Sequence, residues 1–156
     1  MLEIRNLTKV YPDGTVALDN VSFTVADGEF LVVIGLSGSG KSTLLRCVNR
    51  LVEPTSGTVI WNGADVTAAS PRELRRLRRR IGMVFQQFNL VKRSSVMRNV
   101  LAGRLGYVGA LRGVLGLWSP ADRARAEAAL ATVGIAHKAT SRADALSGGQ
   151  QQRVGI

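Results

Sequence analysis

The sequence predicts an α/β fold, on three observations. An unbroken apolar run, Phe30-Leu31-Val32-Val33-Ile34, reads as a strand buried on both faces of a largely parallel sheet. It stops at Gly35, and a glycine-rich stretch carries the chain to Gly40. Helical spacing then resumes over 41–51 (Leu44, Leu45, Val48, Leu51) before Pro54 ends the helix. Strand, glycine-rich loop and helix in that order point to an α/β nucleotide fold.

The other elements follow in order. Val21, Phe23 and Val25 alternate, as does the weaker pair Leu2 and Ile4, so half-buried strands are expected on either side of the Pro12-Asp13-Gly14 turn. Thr58 to Trp61 reads as a strand entering a tight turn at Asn62-Gly63. Ser70, Pro71 and Glu73 supply an N-cap, a first-position proline and a capping-box acid for a basic helix reaching about Arg80. A second apolar strand is expected over Ile81 to Phe85, then a helix around Val96 to Leu101. Ser119-Pro120 with Asp122 opens a helix running to about Val133, with Gly134 past its end. The glycine-rich apolar stretch Leu105 to Trp118 reads as subdomain packing.

Composition narrows the class. The chain has 156 residues, 46% apolar, net charge +10, so it is one compact domain or a piece of one rather than a disordered polycation. Residues 1–68 hold 5 basic and 7 acidic side chains, whereas residues 69–156 hold 16 and 4, so the basicity belongs to the second half. One cysteine, Cys47, excludes an internal disulfide and reads as a small buried hydrophobe; the single histidine, His137, has no metal-binding cluster around it. Met1 to Arg5 lacks the pattern of a signal peptide, and Leu105 to Trp118 is too short to cross a bilayer, so the chain is expected to be soluble or peripheral.

Gly35-Leu36-Ser37-Gly38-Ser39-Gly40-Lys41-Ser42 matches G-x-x-x-x-G-K-[ST] between a strand and a helix. The glycines let successive N–H groups point inward at phosphate oxygens, and the helix adds the positive end of its dipole. Lys41 would set a cation against the β and γ phosphates, and the Ser42 hydroxyl would ligate Mg²⁺. With Thr43, these are the candidate nucleotide-binding residues. A kinase-like or G-protein-like use of the loop stays open at this point.

A second motif, Leu146-Ser147-Gly148-Gly149-Gln150, continues into Gln151-Gln152-Arg153-Val154. With the loop at 35–42 it resembles the ATP-binding cassette family, the ATPase subunits of ABC transporters. The resemblance implies a P-loop NTPase fold: a RecA-like core with an antiparallel β subdomain (1–87) and a helical signature subdomain (88–150), incomplete at its carboxyl end. It implies ATP and Mg²⁺ as cofactors, Tyr11 stacked on adenine with Val16 beside it, and Gln86 as a Mg²⁺ ligand sensing the membrane partner. It also implies that Leu146 to Gln150 meet the ATP of an opposite subunit in a head-to-tail homodimer, attached through transmembrane permease subunits, and indirectly a solute-binding protein, to the cytoplasmic face of the membrane.

Leu44 to Gly57, Arg75 to Met83 and Gln86 to Arg93 are similar to phosphonate-type importers, and polar amino-acid importers share the wording of Gln86 to Leu90. The arginine run at 72–80, six Arg and one Glu, reads as a solvated helix face beside the membrane partner, near anionic headgroups; with aromatics at 5%, nucleic acid is not the expected partner. Complete family members carry a later strand ending in Asp then Glu, the carboxylates that position the attacking water. None of the acids in this chain stands in for that pair, so the catalytic residue is expected beyond Ile156. A non-hydrolysing nucleotide-binding fragment, or a soluble nucleic-acid-linked ABC ATPase, is the alternative of another class.

Overall fold

A computed structural model describes the backbone of all 156 residues and every side chain except that of Ala110. The chain forms two compact units, Met1–Ile81 and Gly82–Ile156.

The first unit is built on a four-stranded antiparallel sheet in the order β2-β1-β3-β4, from β1 (Leu2–Val10), β2 (Val16–Val25), β3 (Ser56–Trp61) and β4 (Ala64–Asp65). Pro12-Asp13-Gly14 turns β1 into β2, with the Asp13 carboxylate accepting from the Thr15 amide at 3.0 Å. Asn62 and Gly63, both left-handed, join β3 to β4, as the period-2 strand entering Asn-Gly predicts. Ile4 and Leu7 are both fully buried although three residues apart, a spacing that an unbroken strand would place on opposite faces. The β1–β2 register shifts between them, and Asn6 there has φ 49°. Side chains stand in for the interrupted ladder: the Asn6 amide donates to Ser22 Oγ at 2.7 Å and Asn6 Nδ2 donates to Asn20 Oδ1 at 2.8 Å.

Helix α1 (Lys41–Val48) lays Leu44 and Cys47 on this sheet, completing a core with Ile4, Leu7, Leu18, Val59 and Val66. The helix stops well before Pro54. Arg50 sits in the left-handed region (φ 55°), the Leu51 amide donates to Arg46 O at 2.8 Å and the Arg50 amide to Cys47 O at 3.0 Å, a Schellman ending with arginine where glycine is usual. The cost of about 1–2 kcal/mol for a side chain in that region is offset by the Arg50 guanidinium, which donates to Ala69 O at 2.6 Å and Val66 O at 3.2 Å and pairs with Glu53. Helix α2 (Pro71–Arg78) opens on the expected Ser70–Glu73 capping box, and packs Leu74 and Leu77 against the core. Its Arg78 donates to Asn49 O at 2.9 Å and Arg50 O at 2.6 Å, a cation on the carbonyl end of α1.

Two expected strands are absent. Phe30 to Ile34 forms no strand and is exposed rather than buried, Phe30 by 89% and Ile34 by 86%. Ile81 to Phe85 is likewise outside any ladder. Apolar side chains give a segment a reason to be buried, but a strand exists only against a hydrogen-bonded neighbour, and among the described residues no backbone pairs with either run.

The second unit is helical: α3 (Val96–Ala102), α4 (Ala110–Val114), α5 (Pro120–Thr132) and α6 (Gly148–Val154), with 3₁₀ turns at Ala136–Lys138 and Ala143–Ala145. Val96, Leu130, Ile135 and Leu146 form its core. Leu105 to Trp118 is not packing material: Leu111 is 74% and Val114 86% exposed, because the glycines that loosen this stretch leave a single short helix and no apolar face opposite it among the core residues. Helix α5 starts at Ser119 as expected, and Gly134 (φ 72°) lies past its end. Asp122 is buried; Arg104 Nε donates to it at 2.8 Å and Ser119 Oγ at 2.7 Å. The Ser119 hydroxyl first, and then the Arg104 guanidinium, hold the Asp122 carboxyl below its ordinary value of 3.8. Its folded-state pKa is depressed, so its contribution to stability is present above about pH 4 and is lost as pH falls through the folded value. Asp122→Asn is therefore expected to lower the melting temperature at neutral pH and to flatten part of the acid limb of a Tm–pH curve. A variant curve parallel to the wild type below pH 4 would contradict this.

Candidate functional site

The glycine-rich loop runs into α1 through Gly40, whose φ is +84° and whose missing Cβ would lie 2.1 Å from the backbone oxygen of Ala17. Only glycine allows that approach of loop to β2. Helices α2, α3, α5 and α6 each begin with a serine whose hydroxyl accepts an amide of the first turn; α1 begins with Gly40 and has no side-chain cap. Its first amides are thus left for an outside acceptor at the positive end of an eight-residue helix.

Lys41 lies back over the loop. Its ammonium donates to Gly35 O at 2.8 Å, Leu36 O at 2.6 Å and Ser39 Oγ at 3.2 Å, oxygens that carry only partial charge. Leu36, Ser37, Gly38, Ser39 and Ser42 are exposed. Thr43 shares a hydrogen bond of 3.2 Å with the Tyr11 hydroxyl, and Lys9 Nζ stands 5.2 Å from the Tyr11 ring centroid. Tyr11 is consequently fixed beside the first turn of α1, and Val16, 58% exposed, opens β2 just after the turn. An uncapped helix start, one cation and a hydroxyl fit a phosphate chain. Among the described residues no group of three or more His, Cys, Asp or Glu could hold a metal ion. The side-chain donors at the loop are instead hydroxyls, Ser42 at the start of α1 among them, suited to a hard cation that keeps water and phosphate oxygens as its other ligands.

The remaining candidates lie in the second unit. Gln86 is exposed and borders a cleft of about 450 Å³ with Gln87, Asn89, Lys92 and Gln151. Leu146 is buried in the helical core, so its side chain anchors the motif. Ser147 Oγ accepts from the Gln150 amide at 3.4 Å while Gln150 Oε1 accepts from the Ser147 amide at 3.0 Å, a capping box that opens α6 with Gly148 and Gly149 exposed. Two features had no signal in the sequence: the Tyr11–Thr43 bond and the resting partners of Lys41. The first depends on how α1 meets the β1–β2 turn, the second on how the loop folds back under its own lysine.

The family model "ABC transporter" matches residues 18–156. Over all 156 residues the chain is 57% identical to the phosphonates import ATP-binding protein PhnC of Bacillus thuringiensis subsp. konkukian and covers 61% of it. It is 53% identical to PhnC 2 of Halalkalibacterium halodurans, covering 64%. It therefore spans about three fifths of the length of these curated relatives. Among solved structures, the ATP-binding cassette MJ0796, a dimer in a post-hydrolysis state bound to ADP and Pi, matches 99% of the chain at 37% identity with a TM-score of 0.85, over 67% of its own length. The cassette MJ1267 in its ADP conformation matches with a TM-score of 0.79 at 29% identity, over all of this chain and 62% of its own.

Proposed function

The chain belongs to the ABC transporter family and has the P-loop NTPase fold of its cassettes, and from that premise we propose that it is the nucleotide-binding portion of the ATP-binding subunit of a phosphonate importer. One observation carries the site: α1, which unlike α2 has no side-chain cap, begins at a glycine loop with a lysine held over it. The relatives named as phosphonate importers support the transport class over amino-acid import.

In this reading Lys41 exchanges the carbonyls of Gly35 and Leu36 for β- and γ-phosphate oxygens, and the loop amides from Gly35 to Thr43 surround the phosphate chain. Tyr11 stacks on adenine with Val16 at its edge. Ser42 would hold Mg²⁺, which would supply charge neutralisation at the phosphates; Gln86 remains a proposed Mg²⁺ ligand. Ser147 and the glycine amides of α6 face the nucleotide of a second cassette, and Leu146 and Gln150 hold them in place. Residues 1–87 act as core and β subdomain, and 88–150 as the helical signature subdomain. Permease subunits, and through them a solute-binding protein, keep the subunit at the cytoplasmic face of the membrane; no helix among the described residues is long and apolar enough to cross one.

Hydrolysis needs a residue that positions the attacking water, and the family resemblance makes that residue a carboxylate. The loop from Gly35 to Thr43 contains no acid; before the signature Asp144 is held by Arg142, and on α5 Asp122 is held by Arg104 and Ser119 while Glu127 is exposed. The expected result is MgATP binding by the 156 residues without turnover, read by calorimetric titration alongside a phosphate-release assay. An ATPase rate comparable to that of a complete cassette, abolished by Lys41→Ala, would overturn the second half of this reading. Absence of nucleotide binding by folded protein would overturn the first.

A further inference from the structure

We propose that the exposed arginine face of α2, formed by Arg72, Arg75 and Arg76, docks on anionic phospholipid headgroups at a membrane surface. The helix is held by everything except these three side chains. Leu74 and Leu77 pack on the core, Ser70 and Glu73 close the amino end, and Arg78 is bound to the carbonyl end of α1. The spacing i, i+3, i+4 sets Arg72, Arg75 and Arg76 on the face left over, and all three are exposed. Among the described residues no ion pair includes any of them. The one acid on the helix, Glu73, lies within coulombic reach of Arg76, but its carboxylate accepts from both the amide and the hydroxyl of Ser70.

Three like charges at these spacings repel one another and destabilise the helix that carries them. A rigid helix that holds them pointing outward presents three planar guanidinium forks, each matched to a phosphate group. A headgroup plane suits the patch better than a nucleic acid does. The helix is only about 12 Å long, no aromatic stands on α2 to interleave with bases, and the nearby Trp61 ring is already covered by Arg80 at 5.2 Å. Near an anionic leaflet each arginine strengthens binding about fivefold, so three together act on the order of a hundredfold. That a membrane is at hand rests on the reading of the chain as a transporter subunit.

The test is sedimentation of the 156-residue chain with vesicles of phosphatidylcholine alone and of phosphatidylcholine mixed with phosphatidylglycerol, at low and high salt. The expected result is binding to the anionic vesicles only, lost at high salt, and weakened at least about twentyfold when Arg72→Gln, Arg75→Gln and Arg76→Gln are combined. Equal binding to neutral vesicles, a triple variant that binds like the wild type, or displacement from vesicles by stoichiometric duplex DNA would each overturn the proposal. The salt titration of the unmodified chain decides it even if the triple variant folds poorly. The triple variant is expected to keep its MgATP affinity, and Lys41→Ala its vesicle binding, so loss of the lipid surface and loss of the nucleotide site are read separately.

Discussion

Lys41→Ala is expected to weaken MgATP binding by the chain by a factor on the order of a hundred or more, while leaving its melting temperature within a degree or two. The two halves of that result have different causes. In the resting chain the ammonium donates to Gly35 O, Leu36 O and Ser39 Oγ, all on an exposed loop where water can replace it, so its removal costs the fold about 0.5 kcal/mol or less. Against a polyphosphate the same ammonium meets full negative charge, and truncating one partner of such a pair costs about 2–5 kcal/mol. Titration calorimetry with a non-hydrolysable ATP analogue, paired with thermal denaturation, separates the terms. An affinity within threefold of the wild type would show that Lys41 is only a loop tie.

Gly40→Ala is expected to damage both fold and site. A side chain at φ +84° costs about 1–2 kcal/mol, and the new Cβ would stand 2.1 Å from the Ala17 backbone oxygen, so β2 or the first turn of α1 must move. A total near 3 kcal/mol is reasonable, roughly the upper range for single substitutions without a cavity. Gly14 is the matched control: its φ is +83° but nothing lies within 4 Å of the added carbon. Gly14→Ala should show the backbone cost alone, with nucleotide binding intact. Urea denaturation of the two variants should differ by about 1–2 kcal/mol; equal values would mean that the close approach to Ala17 is not a constraint.

Much of the local structure was legible because its causes are local. Four helices open on a serine, and at Ser70 and Ser119 the start is read from a hydroxyl that can reach an amide three residues on. The turns at Pro12-Asp13-Gly14 and Asn62-Gly63 follow from side chains that set φ. The end of α1 was not legible. Its left-handed residue is Arg50, which nothing in the local pattern marks, and which is stabilised by carbonyls 16 and 19 residues away. Nor could alternation predict that Ile4 and Leu7 share a face, since the intervening bulge is held by Ser22 and Asn20 on the next strand.

The sequence by itself determined the chemistry on offer: a glycine loop, a lysine, hydroxyls and a serine-capped glycine pair, each a consequence of side-chain type at short spacing. Tertiary structure alone decided which apolar runs became strands and which partners the polar groups took. Phe30 to Ile34 has the composition of a buried strand and is exposed, because strand formation is a property of a pair of backbones. The arginine run reads as one feature in sequence and divides in three dimensions, with Arg78 capping α1, Arg80 covering Trp61 and Arg72, Arg75 and Arg76 turned outward. Helical periodicity separates those faces, but only the core beneath Leu74 and Leu77 determines which of them meets solvent.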